Sequence, residues 1–299
     1  NVHAYEESFI EGVLEKAGIS MTEFKRLSDE DKEFVIDAVT NYPELISTEI
    51  TTTKIDEFQE LSVFVNSTDE ELLEKGLSQE TIDVNRTMVQ KMLAMDANAL
   101  AVYLERPIEE AITIQNLLTP GSPIAQYTIP ENELTVKISV TAKPTSGKID
   151  QLVIASFWWN KQPAFVGEDE FAIAWGGGLA TEGDRGFIEY VTGEYNNKTM
   201  DKIVSLYEDP ISVGLKLRIS GDVIVSGFDQ YYPKGGQIQT HLTKNNPTGE
   251  YSKVIGIYAH KVLAVTGVGI QIFAGFPSAS IQIGVGFQES KQAKAEIRI

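Results

Sequence analysis

The residues best placed for chemistry surround a glycine run. Trp175-Gly176-Gly177-Gly178 follows an apolar stretch, and Glu168, Asp169, Glu170, Glu182 and Asp184 flank it on both sides. Three successive glycines let backbone amides come close to a ligand, or simply make a wide turn. A glycosidase needs two carboxylates about 5–10 Å apart, and Trp158, Trp159 or Trp175 could stack on a sugar ring. The same carboxylates with loop carbonyls are the oxygen donors that calcium prefers, so Glu168, Asp169 and Glu170 are the weak Ca²⁺ candidates. Acidic loops on β-domains are more often only solvated, and the leading expectation is a chain with no cofactor and no catalytic residues.

Other signatures point away from catalysis. The chain has no G-x-S-x-G, no P-loop, no H-E-x-x-H and no EF-hand loop. Its three histidines, His3, His241 and His260, are far apart in sequence, and His260 reads as a structural histidine within a strand. The absence of cysteine removes disulfides, thiol catalysis and zinc–thiolate sites.

A second feature is a near-palindrome. Gly267-Val268-Gly269-Ile270-Gln271-Ile272 is reversed as Ile281-Gln282-Ile283-Gly284-Val285-Gly286 around an aromatic–proline loop. Pairing these as a hairpin with residue numbers summing to 553 puts Val268, Ile270 and Ile272 across from Val285, Ile283 and Ile281. The period of two then gives the other face Gly267, Gly269 and Gln271 opposite Gly286, Gly284 and Gln282. Glycine weakens a strand, so a nearly bare face implies close approach, either by another part of the chain or by another molecule. With Phe273 and Phe276 in the loop, this face is the expected contact surface.

Charge is divided unevenly. Residues 1–125 carry 25 acidic and 9 basic side chains, and residues 126–299 carry 18 and 16, for a net charge of −18. An acidic half without a basic stripe argues against nucleic-acid binding and against simple attraction to anionic lipid.

The elements that must position these residues fall into two groups. Residues 1–118 read as helices: a helix ending at Gly18, one opened by Ser28-Asp-Glu-Asp31, and short ones capped by Thr68 and Asp96, with Pro107 opening the last. The Thr-rich stretch after Pro43 reads as extended. TPGSP at 119–123 lies in the linker, taken as 119–126. Beyond it the apolar period falls to two: LTVKISVTA, QLVIASFWW, EFAIAW, GFIEYV, QIQTHLT, YSKVIGIYAHKVLAV and AEIRI are strands, and KTMDKIVSLYED (198–209) is a candidate helix. The expected fold is an acidic helical N-terminal domain (1–118) followed by an antiparallel, sandwich-like all-β domain (127–299).

The chain begins at Asn1, which fits removal of a signal peptide. Cysteine-free secretion suits a Gram-positive bacterium, and the glycine-rich C-terminal region resembles segments of Gram-positive exported proteins. The resulting expectation is a secreted, non-catalytic interaction or assembly module at a bacterial surface or extracellular matrix, contacting a protein partner or itself. Two alternatives compete with it. One is a membrane-active, pore-forming-like toxin that inserts the 262–288 hairpin; the other is a glycan-binding or glycan-hydrolysing protein that uses the carboxylates near Trp175.

Overall fold

The computed structural model describes residues 6–75, 77–122, 131–163, 169–176, 178–192, 198–208, 213–220, 224–226, 229–261, 269–275, 278–284 and 287–299. Helices come first: α1 (Glu7–Ala17), α2 (Met21–Lys25) and α3 (Asp29–Asn41). A 3₁₀ turn at Pro43–Leu45 leads into strand β1 (Ser47–Ile55), followed by α4 (Phe58–Val65), α5 (Asp69–Glu74), α6 (Gln79–Ala94), α7 (Ala97–Tyr103) and α8 (Ile108–Leu118). Among the described residues, no helix is long and apolar enough to cross a membrane.

The helix ends follow local chemistry. Thr68 and Glu71 form a reciprocal capping box, Asp96 accepts from the Ala99 amide, and α1 closes on Gly18 in the left-handed region. Ser28 accepts from the Asp31 amide, and the Asp31 carboxylate interacts with both Ser28 and His241. Pro107 sits at the N-cap, one position before the first helical residue.

Strands β2 (Asn132–Thr145), β3 (Lys148–Trp159), β4 (Asp169–Ala174), β5 (Ala180–Thr192), β6 (Thr199–Val204), β7 (Tyr207–Glu208), β8 (Gly214–Ile219), β9 (Ile224–Ser226), β10 (Asp229–Asn245), β11 (Tyr251–Lys261), β12 (Ile270–Phe273), β13 (Ser280–Ile283), β14 (Phe287–Glu289) and β15 (Ala293–Arg298) complete the chain. The candidate helix at 198–209 is instead β6 and β7. Pairing with β5, from Gly186↔Val204 to Val191↔Thr199, overrides a pattern that fits either period. The Thr-rich stretch is β1, paired with β2 along its whole length.

All pairings among the described strands are antiparallel. Sheet A runs β1-β2-β3-β10-β5-β6, with β9 on β10, and sheet B runs β14-β11-β4-β8-β7, with β15 on β11. Alternation builds the core between them. Leu134, Val136, Ile138 and Val140 of β2 and Val153, Ala155, Phe157 and Trp159 of β3 meet Phe171, Ile173, Trp175, Leu215, Leu217 and Tyr258 of sheet B.

Two further layers cover the outer faces. On sheet A, α1–α3 form a small apolar cluster of their own that reaches the sheet at Leu152 and Ile154. On sheet B, the β12–β13 hairpin packs on Ala172, Ala174, Ile257 and Ala259. Helices α4–α8 hold a separate core that includes Phe64, Ile82, Met92 and Leu104.

Candidate functional site

The hairpin has the register that the palindrome implies. Ile270 faces Ile283, Gln271 faces Gln282, Ile272 faces Ile281, and the Gly284 amide donates to the Gly269 carbonyl at 2.8 Å. Ile270, Ile272, Ile281 and Ile283 face sheet B. Gln271, Phe273, Ser280 and Gln282 are exposed, Phe273 at 45 %. Gly269 is buried, and a Cβ there would stand 2.9 Å from the Phe287 ring and 3.0 Å from a Glu170 oxygen, so close approach within the chain accounts for this glycine. Gly284 is half-buried. Gly267, Phe276 and Gly286 lie outside the described residues.

The Trp175 loop is drawn into the core. Trp175 is 1 % exposed and belongs to the inter-sheet cluster, and Gly176 is also buried. Gly178 is exposed with φ +84, while Gly177 and Glu168 lie outside the described residues. Asp169 and Glu170 occupy adjacent positions of β4, and both spend oxygens on protein donors. Asp169 accepts from Tyr258 Oη (2.6 Å), His260 Nδ1 (2.8 Å) and the Lys261 amide (2.8 Å). Burial and the Asp169 charge push the Tyr258 hydroxyl well above the usual phenol range. Glu170 accepts from the Ile270 amide at 2.7 Å and so ties the hairpin to sheet B. Among the described residues, no group of three or more His, Asp or Glu is arranged to hold a metal ion. His260 is fully buried, as a structural histidine would be, with Nε2 3.9 Å from Glu57.

Glu182 leads to a different place. It lines an open cleft of about 990 Å³ between α3 and the outer face of sheet A, together with Phe9, Phe34, Asp31, Asp150 and His241. Asp184 accepts from Thr240 Oγ1 at 2.5 Å beside it. His241, on β10, lies between Asp150 of β3 (Nδ1, 2.8 Å) and Asp31 of α3 (Nε2, 2.9 Å). Burial lowers the imidazole pKa, but hydrogen bonds and attraction from the two aspartates outweigh it and raise the group to about 9. Burial raises Asp31, yet His241 and Ser28 bring it below the usual carboxylate value. At neutral pH the ring is an imidazolium donating from both nitrogens. It has no lone pair to act as a general base, and it serves as a charged clamp between helix and sheet.

A second polar group lies further along the same face. Glu23, at position N3 of α2, closes a capping box with Ser20 and also binds Lys137 and, at 2.5 Å, Ser156. Arg26 bonds Glu189 and Asp201 at 2.7 Å each and Gln237 at 3.1 Å. The S-x-x-E signature at Ser20–Glu23 was available in the sequence as a helix start. Nothing in the sequence indicated that its glutamate would continue into the sheet.

No protein-family model matches the chain, and no curated protein matches it. Among solved structures, the chain is similar to one described as "AvmM Catalyzes Macrocyclization in Alchivemycin A Biosynthesis", at 11% identity, covering 54% of this chain and 88% of that one with a TM-score of 0.20. A likeness at that level carries no argument about fold or function.

Proposed function

We propose that the chain is a secreted, non-catalytic interaction or assembly module of a bacterial surface or extracellular matrix, and that it self-associates through the outward face of the β12–β13 hairpin. The observation that supports the reading is the exposed row Gln271, Phe273, Ser280 and Gln282 on a hairpin whose other face is seated on sheet B. That row is uncharged. A chain of net charge −18 meets a second copy with least repulsion on such a surface. The row can meet the same row of a second copy about a two-fold axis, the symmetry that closes a homodimer.

The test is light scattering after size exclusion across two orders of magnitude in concentration, on the wild-type chain and on Phe273→Ser. The reading expects the wild-type mass to rise with concentration and the variant to remain a monomer. A strict monomer for both would reject self-association. Growth that ignores the substitution would move the contact elsewhere on the molecule.

A further inference from the structure

The layer of helices on sheet A rests on an unusual surface. The face of sheet A beneath α1–α3 carries Lys137, Ser139 and Thr141 on β2, Ser156 on β3, and Gln237, Gln239 and His241 on β10. All but His241 are buried. Among the described residues, Leu152 and Ile154 are the sheet's buried apolar side chains in the helical cluster, and the Phe34 ring meets the His241 ring edge-on at 5.1 Å. Polar contacts supply much of the rest: Thr48 and Ser139 donate to the Ala17 and Gly18 carbonyls, and ion pairs cross the seam. Glu23 meets Lys137, Arg26 meets Glu189 and Asp201, Asp31 meets His241, and Asp37 meets Lys143 at 3.0 Å.

Several polar atoms on this face have no hydrogen-bond partner among the described residues. They are both amide atoms of Gln239, Nε2 of Gln237 and Oγ1 of Thr141. A surface shaped only for permanent cover would satisfy such atoms or replace them with apolar groups, because a buried unpaired donor or acceptor is costly. A cluster that packs mainly on itself, standing on a polar face and fastened by ion pairs, has the makings of an element that leaves as a unit. The open cleft beside α3 already gives solvent access to one edge of the seam.

We infer that residues 7–41 form an ion-pair-latched cap that opens from sheet A and uncovers its amide-rich face while the two-sheet core stays folded. This inference does not depend on the hairpin contact proposed above. Opening exposes Gln237, Gln239 and Ser156, and closing requires the five ion pairs together.

The absence of native cysteine makes the test clean, since a single introduced thiol reports its own site. In the full-length chain, Gln239→Cys places the probe beneath the cap and Ala172→Cys places a control beneath the hairpin. The rate of maleimide labelling is read in low salt and in concentrated sodium chloride, with folding monitored by circular dichroism. Screening of the more exposed Asp37–Lys143 and Arg26–Asp201 pairs should speed labelling at position 239 by about threefold and leave position 172 unchanged. Adding His241→Gln, or the milder Lys143→Met, should raise the low-salt rate at 239 alone. Equal acceleration at both positions would mean global unfolding and would overturn the inference. Labelling at 239 that ignores both salt and the latch substitutions would overturn it as well.

Discussion

The two outer layers of the sandwich cover their sheets by opposite means. The hairpin on sheet B sits on a small, dry floor of Ala172, Ala174, Ile257 and Ala259, and Ile272 lies so close to Gly214 that any Cβ there would collide with it. The helices on sheet A stand on Lys137, Ser139, Ser156, Gln237, Gln239 and His241 and are fastened by charge. Dispersion and area burial hold most of the first, with the Glu170 carboxylate on the Ile270 amide and Lys216 on the Ile270 carbonyl as its polar ties. Ion pairs and hydrogen bonds hold much of the second, and they respond to salt and pH. One protein therefore contains a fixed cover and a conditional one.

The largest expected effect comes from splitting the buried pair under the cap. Lys137→Met leaves Glu23 without its cation in a site where both side chains are under 10 % exposed, and should cost about 3–5 kcal/mol in urea denaturation. Pairing it with Glu23→Gln should recover most of that loss. On the dry side, Ile272→Ala removes a side chain that is 6 % exposed and should cost about 2 kcal/mol, with no dependence on ionic strength.

The two covers should also separate on a pH axis. The folded-state pKa of His241 is raised to about 9, so the stability it contributes is fully present below its unfolded value of about 6.5 and is lost as pH rises through 9. Asp31 is shifted the other way, so its contribution is present above the ordinary carboxylate pKa and is lost as pH falls below it. Melting temperature followed from neutral to alkaline pH should fall for the wild type and be flatter for His241→Gln. The smallest effect on stability is expected at Phe273→Ser, within about 0.5 kcal/mol, because an exposed residue away from the packed face leaves the fold intact.

Legibility followed the range of the interactions. The hairpin register was readable because the two halves of the palindrome are close in sequence and matching them puts isoleucine across from isoleucine and glutamine across from glutamine. The core strands were readable from alternation, as in Leu134, Val136, Ile138 and Val140. The caps at Thr68 and Asp96 were readable from four residues each. The clamp was not: Glu23 reaches Lys137 across 114 positions and Asp31 reaches His241 across 210. A lone histidine and a helix-start aspartate each had a complete local explanation, and only the fold brings them together. Trp175 was misleading for the opposite reason. Its glycines and acidic neighbours suggested a ligand loop, whereas its ring fills the space between the sheets.

Hydrogen exchange read by mass spectrometry on one sample at low and high salt compares the two covers directly. The contrast predicts that amides of 7–41 exchange faster in high salt while those of 270–273 and 280–283 keep their rates. Equal response of the two segments, or none in the helices, would contradict it.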